Sequence, residues 1–320
     1  MSDASGSRYR AGLIFGLIAY LWWGAVPLYF TLLKDAKVPA GEILAERIAW
    51  SLPVLLLLIA FTGGWSDLFR VLASRKLVVI LLASSVFLAV NWLLYIYATV
   101  TDRVTEASLG YFMLPLVNAA LATAILGEKL RPLQYPALAL VAVGVAIPFL
   151  ASGHFTWIAV LLPISFGFYG LVRKMVPVES ITGLTVESLL MLPPSIGYLI
   201  YLSATGTNHF GSDWSLNGLL AFSGIVTVVP LVTFTLSIRR LPLMAISFIQ
   251  FLSPTVQLLI AVYWLGEPAL SPDRLAAFIC IWAAVLIFIG DSIWQARAAR
   301  RKPSPSPMQR VNLLPLTPRS

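Results

Sequence analysis

The chain has 320 residues, 59% of them hydrophobic and only 11% charged, with a mean hydropathy of +0.87. Soluble proteins carry about 25% charged residues, so a water-soluble enzyme or binding domain is excluded. The net charge of +8 does not point to nucleic acid, because the basic residues lie between apolar runs rather than along one face.

Runs of roughly 20 apolar residues recur from end to end, each able to cross about 30 Å of hydrocarbon. They are continuous rather than alternating, which argues against a β-barrel. The expected fold class is therefore an all-α polytopic membrane protein. Residues 1–10 are polar and basic at the edge, and span 1 follows at about 11–33. No cleavable signal peptide is expected, since this first run is too long and lacks a small-residue cleavage site. Span 2 covers about 41–61 and carries Glu42, Glu46 and Arg47. A basic loop from Arg70 to Lys76 leads to span 3 at about 77–99. Span 4 is 105–128 and span 5 about 133–151. After a short turn at Ser152-Gly153-His154 come span 6 (155–174), span 7 (181–203), span 8 (217–238), span 9 (244–267) and span 10 (273–294). Residues 297–320 are basic and rich in Pro and Ser, which predicts a disordered tail.

Spans 4 and 9 are copies of one another. Residues 105–128 and 244–267 align without a gap at an offset of 139, with eight of 24 positions identical, including Pro115/Pro254 and the closing Leu-Gly-Glu. The offset reaches back to Ser84 and Ser223 in spans 3 and 8. Spans 1 and 6 align at a different offset, Gly24 falling on Gly170. A period of this length is too long for a solenoid unit and reads as a duplicated half-protein: 11–151 and 155–294. Five spans per half force the second copy to enter the membrane inverted, as in many secondary transporters. With a cytoplasmic N-terminus, the outer loops hold only Lys34, Lys37, Arg103 and Arg274, and the remaining loop and tail cations fall inside. By the positive-inside rule both termini are cytoplasmic.

Each repeated span gathers polar residues on one stripe: Ser108, Tyr111, Pro115 and Asn118 in span 4, Ser247, Gln250, Pro254 and Gln257 in span 9. Spacings of three, four and seven keep them on one face. Span 3 adds Ser84, Asn91 and Tyr95, and span 8 adds Ser223, Thr227 and Phe234. Span 1 supplies Tyr20 and Trp23, and span 6 supplies Phe166, Tyr169 and Arg173. Such stripes serve interhelical hydrogen bonding or line a solute pathway; their recurrence in both halves favours the pathway. Intramembrane charges are costly and mark function or a structural ion pair. Arg47 keeps its charge and suits a partner carboxylate or an anionic or carbonyl group of a solute. Glu187, with no basic neighbour on its own helix, is the candidate proton site. Glu128 and Glu267 follow helix-ending glycines and read as interfacial groups. No catalytic or metal-binding motif is present, the two histidines fall in loops, and Cys280 stands alone inside a span. No enzyme activity, metal or cofactor is expected.

The twofold five-span pattern closing in Leu-Gly-Glu resembles the drug/metabolite transporter superfamily (EamA-like). The stretches W-W-G-A-V-P-L-Y-F from Trp22 and E-I-L-A-E-R-I-A-W-S from Glu42 resemble its RarD family. The resemblance covers about residues 9–296 and implies a multi-pass permease of the bacterial inner membrane. Its motif positions here are Trp23, Gly24, Pro27, Tyr29, Glu42, Arg47, Trp50 and Ser51. Together, the expected solute-facing residues are Trp23, Tyr29, Arg47, Trp50, Asn91, Tyr95, Tyr111, Asn118, Tyr169, Glu187, Gln250 and Gln257. The expected partners are membrane lipids, a small organic solute and protons as coupling ion. No ATP site is found in the chain, so the energy for transport is expected from an ion gradient, from the solute's own gradient or from a partner protein. The competing reading is a non-transporting membrane scaffold or receptor-like protein.

Overall fold

The computed structural model describes residues 2–127, 132–152, 157–211, 213–238, 240–241, 249–267 and 271–301. Among them the protein is helical throughout, without strands. In chain order the helices are α1 (Ser2–Asp35), α2 (Ala40–Thr62), α3 (Trp65–Ala73), α4 (Arg75–Val100), α5 (Val104–Leu126), α6 (Gln134–Ser152), α7 (Trp157–Met175), α8 (Ser180–Ala204), α9 (Trp214–Ile238), α10 (Leu252–Tyr263) and α11 (Pro272–Arg301). Five are long and apolar enough to cross a membrane: Tyr9–Asp35, Ala40–Thr62, Arg75–Val100, Ser180–Ala204 and Trp214–Phe234. Shorter apolar helices lie at Gln134–Gly144, Trp157–Arg173, Leu252–Tyr263 and Leu275–Ile287. The chain is a multi-pass α-helical membrane protein.

Several boundaries differ from the sequence reading. α1 begins at Ser2 and not near residue 11, because no proline interrupts the polar residues that precede the apolar run. The Arg70–Lys76 stretch is not simply a loop. It contains the C-terminal part of α3, whose Leu68 and Val71 are buried while Trp65 and Phe69 stack on the exposed side at 6.2 Å. Span 9 is helical from Leu252, with Gln250 and Phe251 in a turn ahead of it. α11 runs to Arg301, past the expected start of the tail at 297. Glu128, His154, Ser247 and the chain from 302 onward lie outside the described residues.

Helix ends follow ordinary chemistry. Gly127 and Gly266 both adopt φ +67, the left-handed conformation that favours glycine after a helix. Ahead of α9, Asp213 accepts from the backbone N–H groups of Ser215 (2.9 Å) and Leu216 (3.0 Å) and from the Ser215 hydroxyl. These hydrogen bonds, the Ser215 hydroxyl foremost, hold its carboxyl below the usual carboxylate range.

Glu267, expected as an interfacial group, caps a neighbouring helix. Its side chain is buried and accepts the N–H groups of Val104 (2.7 Å) and Thr105 (3.0 Å), together with the Thr105 hydroxyl. A carboxylate at the C-terminal end of one repeat copy thus caps the N-terminus of the helix carrying the other. A negative charge there satisfies orphan N–H donors and favours the helix dipole.

α1 packs on α9 and α10, α7 on α4 and α5, α2 on α8 and α9, α4 on α8, α5 on α10 and α6 on α11. The largest buried apolar cluster joins Phe30, Ile43, Tyr95, Ile96, Ile158, Leu162 and Leu220 at the meeting of α1, α2, α4, α7 and α9. Glu267→Ala should lower stability by about 0.5–2 kcal/mol, the usual value of an N-cap. Glu267→Gln should lower it less, because the amide oxygen still accepts. Denaturation of the purified protein in detergent micelles reads both.

Candidate functional site

α2 enters the bundle with an almost continuously buried first half: Glu42, Ile43, Ala45, Glu46, Arg47, Ile48 and Ser51. A helix buried on several faces has to place its charges among other helices, and each of the three charges here does so differently. Arg47 is only 6% exposed. Its Nε donates to Thr227 Oγ1 of α9 at 2.6 Å, and its guanidinium lies 4.2 Å from the Trp92 ring of α4 and 5.9 Å from the Phe30 ring of α1. Cation–π contact of this kind is favourable when water is excluded. The Phe30 ring in turn packs on Tyr29 at 5.2 Å. The sequence left a buried Arg47–glutamate pair open; among the described residues no glutamate lies within ion-pair distance of Arg47. Glu46 instead accepts from Trp50 Nε1 one turn on, at 2.9 Å.

α4 meets this arginine through Trp92, and its polar face turns to the neighbouring helices. Asn91 donates to the Leu162 carbonyl (3.0 Å) and the Ser165 hydroxyl (3.3 Å) of α7, and accepts from Tyr111 Oη at 3.2 Å. Tyr95 packs edge-on against Tyr111 and Phe30 at 5.7 and 6.1 Å. Tyr29 donates to the Leu219 carbonyl at 2.8 Å. Of the expected site residues, Tyr29, Arg47, Asn91, Tyr95 and Tyr111 therefore converge.

A second centre forms around Glu187 of α8, whose side chain is fully buried. Ser84 Oγ of α4 donates to its Oε1 at 2.6 Å, and Arg173 Nε of α7 stands 3.9 Å from the same atom. Tyr169 lies beside both charges. The cation missing from the helix of Glu187 is thus supplied by another helix. Gly183 makes room for it, since a Cβ at that position would stand 1.8 Å from Arg173 Nη1.

The other expected residues stand elsewhere. Gln257 is buried and donates to the Trp23 carbonyl and to Ser253 Oγ, both at 3.2 Å; Trp23 packs with Tyr20 and Phe234. Asn118 is exposed beside Gly167 of α7, and Gln250 is half-buried in the turn before α10. Trp50 lies 6.0 Å from Phe210, in the connection between α8 and α9. Next to Phe210, His209 donates its backbone N–H to Glu42 Oε1 at 2.6 Å and sets Nδ1 2.7 Å from Oε2. The sequence showed His209 only as a loop histidine, and it gave no sign of Trp92, which neighbours Asn91 and so points about 100° away from the polar stripe.

The comparisons agree with this architecture. Residues 10–150 match the model of the EamA-like transporter family. Protein RarD of Salmonella typhi is 40% identical over 289 residues, covering 90% of this chain and 97% of that protein. An uncharacterized transporter of Pseudomonas aeruginosa is 40% identical over 304 residues, covering 93% and 99%. A solved crystal structure shares the fold with a TM-score of 0.59 at 18% identity, over 87% of this chain and 97% of that one. A polytopic helical bundle with these relatives belongs to the EamA-like transporters of the drug/metabolite superfamily, in the RarD family.

Glu42 is fully buried, and its Oε2 has His209 as partner. His209→Ala should therefore destabilise the protein by about 1–3 kcal/mol, the cost of an unsatisfied buried acceptor. In a double-mutant cycle with Glu42→Gln the two effects should be strongly non-additive, as read by thermal unfolding.

Proposed function

We propose that the chain is a secondary transporter carrying a small organic solute across the bacterial inner membrane by alternating access. In this reading ten spans form two inverted halves, and both termini are cytoplasmic. The observation that carries it is the way helix contacts pair off. Exchanging the halves turns the α1–α9 contact into α7–α4, α1–α10 into α7–α5, and α2–α9 into α8–α4, all of which occur. The contacts α2–α8, α5–α10 and α6–α11 map onto themselves.

Atomic detail supports the same exchange. A Cβ at Gly24 would stand 2.7 Å from Val256 Cβ, and one at Gly167 would stand 2.7 Å from Val117 Cγ1. Val117 and Val256 are the same position of the repeat, 139 residues apart. Each first span therefore lays a glycine against the same residue of the opposite half. This aligns Gly24 with Gly167, not with Gly170, whose Cβ would meet nothing within 4 Å. The buried charges follow suit: Arg47 reaches the third span of the other half at Thr227, and Glu187 does so at Ser84.

Relatives named as transporters support the activity. A rocking motion needs an interface of paired, re-formable contacts between halves, and polar groups inside it give the solute a place to bind. Glu187 is the proposed proton site, since a carboxylate between Ser84, Tyr169 and Arg173 can change charge as its surroundings open and close. Purified protein in proteoliposomes should accelerate flux of at least one member of a metabolite panel. Glu187→Gln, inserted normally, should flatten the pH dependence of that flux. Absence of protein-dependent flux across the panel would favour a scaffold, and unchanged pH dependence in Glu187→Gln would remove the proton role.

A further inference from the structure

Resting on the transporter reading, the charge inventory of the bundle narrows the solute class. Among the described residues four glutamates are buried: Glu42, Glu46, Glu187 and Glu267. Each is engaged away from Arg47. Glu42 faces His209, Glu46 accepts from Trp50, Glu187 takes Ser84 and Arg173, and Glu267 caps α5. Arg47 therefore sits 6% exposed with no carboxylate within ion-pair distance among those residues.

Taking a guanidinium out of water without a counter-charge is strongly unfavourable. One hydrogen bond to a threonine and the face of Trp92 offset part of that, but a guanidinium has five N–H donors in a rigid fork. Tyr29 and Tyr111 already give their protons to Leu219 and Asn91, and the buried Tyr95 hydroxyl has no hydrogen-bond partner. A cation against the Trp92 and Phe30 rings, with the unpartnered Tyr95 hydroxyl on a ring that packs on Phe30, is complementary to an oxyanion on an apolar or aromatic body.

We propose that Arg47, assisted by the Tyr95 hydroxyl, is the oxyanion-binding group of the transport site, and that the solute is an organic anion bearing a carboxylate or phosphate. The solute would supply the counter-charge that the protein withholds. Without it Arg47 is a poorly compensated cation, and with it the fork is filled bidentately.

A set of probes sharing one ring and differing in charge tests this. Benzoate, phenyl phosphate, benzyl alcohol and benzylamine are added separately to the purified full-length protein in nanodiscs, at fixed ionic strength, and thermal stabilisation is read. One or both anions should stabilise the wild type, and the alcohol and amine should not; whichever anion acts distinguishes the carboxylate from the phosphate. Arg47→Gln should weaken the apparent affinity for that anion roughly tenfold or more, the usual scale for a lost charged hydrogen bond, and Arg47→Lys should weaken it less. Equal or greater stabilisation by the amine or alcohol would overturn the proposal, as would reproduction of the effect by sodium chloride against sodium gluconate. The wild-type series decides the matter even if Arg47→Gln fails to fold. Anion binding without flux in proteoliposomes would count against the transport reading alone. Flux of neutral or cationic solutes without anion binding would count against this one.

Discussion

The structure depends on how a membrane-embedded helix accommodates an arginine that never loses its charge. Arg47 cannot neutralise itself as a buried carboxylate can, so α2 is held where Thr227, Trp92 and Phe30 surround it. These three come from α9, α4 and α1, so the arginine fastens elements of both halves to one point. A charge at the bilayer centre costs about 2.5–3.5 kcal/mol on the more lenient scale. Such a cost is retained where the charge has work to do, and among the described residues no carboxylate pairs with this one.

Around that point, the remaining charges act as fasteners. Glu267 ties the end of one repeat to the start of α5, Glu42 ties the α8–α9 connection to α2, and Lys34 pairs with Asp102 between α1 and the α4–α5 connection. In the expected orientation all three lie at the outer end. At the other end Arg173 reaches the backbone carbonyls of Glu179 and Ser180, and Ser237 donates to the Gly12 carbonyl at 2.9 Å. The middle of the bundle is held by close glycine contacts and aromatic edges, which can slide and re-form more readily than charge pairs.

Sequence legibility followed from what is local. Hydrophobic run length revealed most helices, and Val117 and Val256, 139 residues apart, each lie against a glycine of another helix. The stripe spacing put Asn91 and Tyr95 on one face of α4, and both meet Tyr111 of α5 there. Partners across helices were not legible. Nothing in the chain says that Arg47 meets Thr227 rather than a glutamate, or that a loop histidine lands on Glu42. Trp92 was hidden by its own position beside Asn91, off the polar stripe. α3 escaped because nine residues next to a Gly-Gly pair carry too few turns to reveal a period. Gln250 was placed on a helix by analogy with Tyr111, but the chain turns there before α10 begins.

The central claim is that the Arg47 site lies between two halves and opens alternately to either side. Thiol accessibility at Thr227→Cys, in a Cys280→Ser background, tests it most directly. Oriented vesicles would be treated with a membrane-impermeant maleimide from one face and then from the other. The account predicts labelling from both faces, with a crosslink that locks one end suppressing labelling from that side only. Labelling from a single face under all conditions, or from neither, would contradict it.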